Sequence, residues 1–261
     1  MMLPIMSAVF TATIKFASLG ALLYVGLCAI LFIFQRSLIY LPHPPSDHHR
    51  EALTFTVDGA HILVTTRQTD TPEAVLYFGG NAEDVAYSLP TLESAFPGHA
   101  LYLPHYRGYG GSSGKPSEAA LLADGLALFD MIHKKHPRVV VIGRSLGSSV
   151  AVHVASLRPV SRLVMVTPFD SILGLAQKLY PVFPVRWLLL DRFESAKYAP
   201  KVTAQATLIV AEMDEIVPMQ NAKALLDSFA PGVAQMKIVA KTGHNTISHS
   251  PDYLPLLRGG Q

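Results

Sequence analysis

Apolar residues along this chain fall into two regimes. Residues 16–34, FASLGALLYVGLCAILFIF, form one unbroken apolar run without a charge. At about 1.5 Å per residue, such a helix spans roughly 28 Å, close to the thickness of a bilayer core. From residue 53 onward, short apolar runs instead alternate with amphipathic stretches. Residues 53–57 and 61–68 read as two strands joined by the hairpin signal Asp58-Gly59. Strands are then expected at 74–80, 99–106, 138–143, 162–168, 206–212 and 235–240. Helices are expected at 84–96, where Pro90 breaks or kinks the run, and at 117–136, with Ser117 as its N-cap. Further helices are expected at 145–157, 219–230 and 250–257. Strands alternating with helices imply an α/β fold, a mostly parallel central sheet with helices on both faces.

Residues 1–36 therefore read as an N-terminal membrane anchor and 37–261 as one domain. A cleaved signal peptide has a shorter apolar region, about 7–15 residues, and ends in a small-x-small site. Gln35-Arg36-Ser37-Leu38 offers no such site, so the expectation is an uncleaved, single-pass anchor. Lys15 and Arg36 flank the run one on each side and assign no orientation. Residues 41–49, LPHPPSDHH, read as a linker in which His48 and His49 are solvated rather than metal-bound.

Composition narrows the function. A formal net charge of +2 and the absence of Lys/Arg runs give no case for a nucleic-acid partner. The single cysteine, Cys28, rules out an internal disulfide and a Cys-based zinc site.

The chemistry concentrates at Gly143-Arg144-Ser145-Leu146-Gly147, between an expected strand and an expected helix. Gly-x-Ser-x-Gly in that setting is the nucleophile-elbow pattern: Gly143 and Gly147 keep side chains out of a sharp turn that presents Ser145. Locally, Ser145 could equally be an ordinary helix N-cap. A hydroxyl needs a base, and the base needs an orienting acid. Asp214 and His244 each follow an expected strand, in the chain order Ser, acid, His. Glu212, Glu215 and Asp170 are rival acids, and His105, His153 and His249 are rival bases. An anion hole would take the backbone N–H of Leu146 and that of Asn81, in the loop Gly79-Gly80-Asn81. Such a mechanism requires no metal and no organic cofactor. Residues 171–193, rich in Leu, Val and Phe and holding the only tryptophan, Trp187, read as a lid or acyl-chain wall, or as helices packed on the sheet and broken by Pro181 and Pro184.

Taken together, the motifs resemble the α/β-hydrolase superfamily, and within it the membrane-anchored serine hydrolases that include lysophospholipases and protein depalmitoylases. The resemblance is carried by residues 37–42 (SLIYLP), 79–84 (GGNAED), 106–118 (YRGYGGSSGKPSE), 143–147 (GRSLG), 168–171 (PFDS), 191–195 (DRFES), 214–218 (DEIVP) and 243–245 (GHN). It implies an α/β-hydrolase fold, a Ser145/Asp214/His244 triad, and an ester or thioester substrate, acyl-lipid or otherwise lipophilic. A serine peptidase, or a catalytically silent membrane-anchored binding protein, is the alternative on the same fold. The chain departs from the family pattern at Gly79, where a histidine is usual, and at Glu83, where a glycine is usual. Carboxylates at Glu83 and Asp84 would be expected to weaken the anion hole or repel anionic substrates. Arg107 is expected to serve structural hydrogen bonding rather than anion binding.

Overall fold

A computed structural model describes residues 2–45 and 52–259; the pair His48-His49 lies outside the described residues. Eight strands form one sheet: β1 (Ala52–Val57), β2 (Ala60–Arg67), β3 (Glu73–Phe78), β4 (Ala100–Pro104), β5 (Arg138–Arg144), β6 (Arg162–Val166), β7 (Ala206–Ala211) and β8 (Ala234–Val239). Their order is β1-β2-β4-β3-β5-β6-β7-β8. The β1–β2 hairpin turns on Asp58 and Gly59, both at positive φ (47° and 73°), the two-residue turn whose twist matches that of the strands. β2 runs antiparallel to β1 and β4; from β4 to β8 every neighbouring pair is parallel.

Parallel strands need crossovers, and the crossovers place helices on both faces. The helices are α1 (Met2–Ile39), α2 (Leu89–Ala95), α3 (Glu118–His133), α4 (Leu146–Leu157), α5 (Ile172–Leu179), α6 (Val185–Leu188), α7 (Ser195–Tyr198), α8 (Met219–Leu226) and α9 (Tyr253–Arg258). Leu128 and Phe129 of α3 and Val150 and Val154 of α4 pack with Leu76, Val141 and Met165 on one face. Leu89 and Leu92 of α2 and Tyr253 and Leu257 of α9 pack with Tyr77, Ile142 and Ile209 on the other. Residues of β3 through β7 alternate between these two cores, which explains why their sequences read as continuous apolar runs.

Local breaks follow from local chemistry. The helix expected over 84–96 begins as a single 3₁₀ turn, Val85–Ser88, capped by Asp84, whose carboxylate accepts from the Ala86 N–H at 3.0 Å. Pro90 sits in the first turn of α2, where its missing N–H costs nothing. Ser117 caps α3 by accepting from the Ala120 N–H. Between β6 and β7, α5 and α6 contain no fully buried residue, although Phe169 and Phe193 on either side of them are core residues and Ile172 and Leu175 of α5 pack against the same core. α1 is long and apolar enough from Phe10 to Ile39 to cross a membrane. It runs through Arg36 without a break, and its last turns pack on the segment between β6 and β7.

Candidate active site

Register places the C-terminal ends of β3, β5, β7 and β8 along one edge of the sheet, with Phe78 opposite Gly143 and Ala211 opposite Val239. In open α/β sheets this edge is where ligands bind. Asn81, Ser145, Leu146, Asp214 and His244 each follow one of these strand ends.

Ser145 joins β5 to α4 with φ 50° and ψ −116°, a conformation side-chain-bearing residues adopt only where surroundings enforce it. Two glycines make the enforcement possible. A Cβ at Gly143 would lie 2.6 Å from Cα of Ser148, and one at Gly147 would lie 2.6 Å from the Gly79 carbonyl oxygen. The Ser145 N–H donates to the Val166 carbonyl at 2.8 Å, which pins the turn to β6. Ser145 occupies the N-cap position of α4, yet its hydroxyl makes no capping bond. Its Oγ instead lies 3.0 Å from Nε2 of His244.

His244 follows β8 and is 4% exposed. Its Nδ1 lies 2.9 Å from Oδ2 and 3.0 Å from Oδ1 of Asp214, whose carboxylate is buried. Asp214 is held in turn by the N–H groups of Ile216 and Val217, which donate to Oδ1 at 3.0 and 2.7 Å. With the ring proton on Nδ1, His244 donates to Asp214 and its Nε2 accepts from the Ser145 hydroxyl. That is the geometry general-base activation of a hydroxyl needs.

The rival residues are engaged elsewhere. Glu212 accepts from the Lys241 N–H and Glu215 from the His244 backbone N–H. Asp170 accepts from the Asn221 amide and the Ser171 hydroxyl. The His153 ring packs edge-on to Tyr198, and His249 lies in a 3₁₀ turn, Ile247–His249. His105 is buried against Thr65. His43, Asp84 and His105 do bring possible metal-ligating atoms within 4.8 Å of one another. Asp84 is there engaged in capping and His105 with the Thr65 hydroxyl.

The loop after β3 faces Ser145, with the Gly80 backbone close enough that a Cβ there would lie 3.8 Å from that of Ser145. Tyr106 donates to the Gly79 carbonyl at 2.8 Å and Tyr109 to the Asn81 carbonyl at 2.7 Å, fixing the loop from behind. The Gly80 N–H donates to Glu83 at 2.9 Å. Among the described residues, neither the Asn81 nor the Leu146 N–H donates a hydrogen bond within the chain. Both are thus available to a ligand oxygen, and the Leu146 N–H also belongs to the N-terminus of α4, where negative charge is favoured.

Glu83 does not bring the free charge its position in the sequence implied. Its carboxylate is buried and accepts from Arg144 (3.0 Å), Gly80 N–H, Tyr77 (2.7 Å) and Ser88 (2.6 Å). Burial alone would raise its pKa. The Arg144 guanidinium and those three hydrogen bonds outweigh burial and hold the carboxyl below its ordinary value. Arg144 also donates to the Asn245 side chain at 3.0 Å. It therefore ties the loop after β3 to the loop carrying His244. Nothing in the sequence marked this role, because Arg144 fills the variable position of the Gly-x-Ser-x-Gly pattern. Glu83 also occupies the space a side chain at 79 would need: a Cβ there would meet its Cδ at 3.3 Å and Cγ1 of Val85 at 2.5 Å. Arg107 pairs with Asp124 through two bonds of 2.8 and 2.7 Å.

A cavity of about 590 Å³ opens onto Ser145 and His244. Apart from the loop residues just described and Gln35 and Tyr180, its lining is apolar, with Phe169, Leu175, Leu179, Phe183 and Leu188 from the segment between β6 and β7. Ile172 and Leu175 of that segment both line the cavity and pack against the core, so the segment covers the sheet and walls the cavity at once.

Comparison with known proteins bears on most of the chain. A family model described as the alpha/beta hydrolase fold matches residues 74–193. The uncharacterized protein Rv2307c of Mycobacterium tuberculosis (strain ATCC 25618 / H37Rv) is 32% identical over 246 residues, covering 86% of this chain and 85% of its own. Protein bem46 of Schizosaccharomyces pombe is 28% identical, covering 81% and 80%. Among solved structures, alpha/beta hydrolase domain-containing protein 10 from mouse superposes with a TM-score of 0.62 at 17% identity, over 80% of this chain and 96% of that one.

Proposed function

The chain belongs to the α/β-hydrolase family, and from that premise we propose that it is a serine hydrolase cleaving carboxylic ester or thioester bonds through an acyl-enzyme on Ser145. The observation that carries the reading is the run of hydrogen bonds from Ser145 through His244 to Asp214, set beside two unengaged N–H groups at the end of an apolar cavity.

The Ser145 oxygen attacks the substrate carbonyl as its proton passes to Nε2 of His244. Asp214 keeps the imidazole oriented and offsets the charge it gains. The Asn81 and Leu146 N–H groups hold the oxyanion, a contribution of about 3 kcal/mol per donor in comparable sites. His244 then returns its proton to the departing alcohol or thiol. Water, deprotonated by the same ring, releases the acyl group and restores the serine. An apolar cavity at the serine fits an acyl chain better than a peptide, which needs backbone hydrogen-bonding partners along its length. In this reading α1 is a single-pass membrane anchor for the hydrolase domain.

The test is turnover by full-length protein in detergent, using aryl esters of graded acyl length and an acyl-thioester. Ester or thioester cleavage that Ser145→Ala and His244→Ala abolish is expected. No cleavage of either class, or cleavage that survives Ser145→Ala, would contradict the reading.

A further inference from the structure

The helix expected to serve as an anchor also lines the cavity. Leu31, Phe32, Gln35, Leu38 and Ile39 of α1 face the same cavity as Ser145 and His244. They recur at i, i+1, i+4, i+7 and i+8, one face of a helix. The other wall is the segment between β6 and β7, and specific bonds join the two. The Gln35 side chain accepts from the Leu190 N–H at 2.7 Å and donates to the Leu188 carbonyl at 3.1 Å. Arg36 and Tyr40 both bond the Asp191 carboxylate, at 3.0 and 3.1 Å. Farther along the helix, the Tyr24 hydroxyl donates to the Val182 carbonyl at 2.7 Å, and its ring stacks on Phe183 with centroids 5.9 Å apart.

These contacts set a depth. Tyr24 lies eleven residues before Gln35, about 16 Å along a helix, which is roughly half the thickness of a bilayer core. If α1 crosses a membrane, Val182 and Phe183 are therefore within it. The outward side chains agree: Val182 and Trp187 are 70% and 81% exposed, apolar surface that in water would lie without cover. The polar contacts agree as well. Backbone N–H and carbonyl groups in hydrocarbon need partners inside the protein, and Gln35 and Tyr24 supply them to Leu190, Leu188 and Val182.

We propose that α1 is a wall of the substrate site, that the segment between β6 and β7 lies in the bilayer beside it, and that the site takes an acyl lipid laterally from the membrane. The acyl chain occupies the cavity between the two walls, and its ester group reaches Ser145 at the level where α1 leaves the hydrocarbon. The proposal rests on the hydrolase reading for the fate of the ester, but the position of the segment does not depend on that reading.

Two measurements test it. Trp187 is the only tryptophan in the chain, so the intrinsic fluorescence of full-length protein in lipid vesicles reports its surroundings directly. Lipids brominated on their acyl chains are expected to quench it relative to unbrominated lipids. Equal emission in the two bilayers would overturn the proposal whether or not the protein is an enzyme. The second measurement compares kcat/KM for palmitoyl and acetyl aryl esters. Leu31→Trp, and Leu38→Trp as a second filling of the cavity, are expected to lower the palmitoyl-to-acetyl ratio about tenfold, a change of about 1.4 kcal/mol in discrimination. Ile33→Trp, on the lipid-facing side of the same turn (Ile33 is 69% exposed), is expected to leave the ratio unchanged. An unchanged ratio in both cavity variants would overturn the wall. Absence of any ester turnover in the wild type would instead count against the hydrolase reading, and quenching would still decide where the segment lies.

Discussion

Replacing Arg144 with methionine separates what its charge contributes from what its bulk contributes. The Glu83 side chain is 9% exposed and that of Arg144 19%. Removing one partner of a buried ion pair costs about 3–5 kcal/mol. Glu83 would keep its bonds from Gly80, Tyr77 and Ser88, so the low end applies, about 3 kcal/mol. In a domain of this size each kcal/mol moves Tm by about 2–4 °C, so Arg144→Met is expected to melt about 6–12 °C below wild type at pH 7. Acid should narrow that gap. In the wild type the Glu83 carboxyl is held below 4.5, so its stabilising contribution is complete above pH 4.5 and is lost as pH falls through the folded-state value. Without Arg144, burial acts with less opposition and pushes the carboxyl up. The variant is then destabilised at neutral pH and relieved as acid protonates the buried group. Scanning fluorimetry of the full chain in detergent at pH 7 and near pH 4.5 measures both points. An equal fall in Tm at the two pH values would refute the ion-pair argument and leave Arg144 a packing residue.

Two further outcomes are expected. Ser145 carries a side chain at φ 50°, a strain of about 1–3 kcal/mol that alanine keeps and glycine relieves. Ser145→Gly should therefore melt above Ser145→Ala, and the reverse order would show that the turn is not strained. Arg107→Gln, which leaves the buried Asp124 carboxylate without its partner, should cost about 3–5 kcal/mol in stability without changing the preference between neutral and anionic esters. A changed preference would place Arg107 in the substrate site.

What could be read in the sequence was set by how local the constraint is. Gly143 and Gly147 are demanded by backbone contacts on either side of one turn, and the valines before and small residues after them announce the strand and helix they join. Asp214 and His244 could be singled out because each follows a short apolar run that reads as a strand. The two-core sheet was legible for the same reason, since burial on both faces leaves continuous apolar runs. The Arg144 bridge was not legible, because it joins residues 61 and 101 positions apart along the chain. The state of Glu83 was hidden for that reason: a carboxylate beside an anion hole looks repulsive until its counter-charge is located. The cavity-facing side of α1 was hidden by uniformity. When nearly every position of a helix is apolar, pattern cannot say which side meets protein and which meets lipid, and Gln35, Arg36 and Ser37 break the run only at its end.

The central claim is that Ser145 is a nucleophile activated by His244 and Asp214. It is tested most directly by treating the full-length protein with a fluorophosphonate and locating the adduct by peptide mass spectrometry. One adduct is expected, on Ser145, absent from Ser145→Ala and formed at a rate lowered by about 10⁴ in Asp214→Asn, the loss seen when a triad acid is neutralised. An adduct on another residue, or labelling of Ser145 that is as fast in Asp214→Asn as in the wild type, would contradict the account.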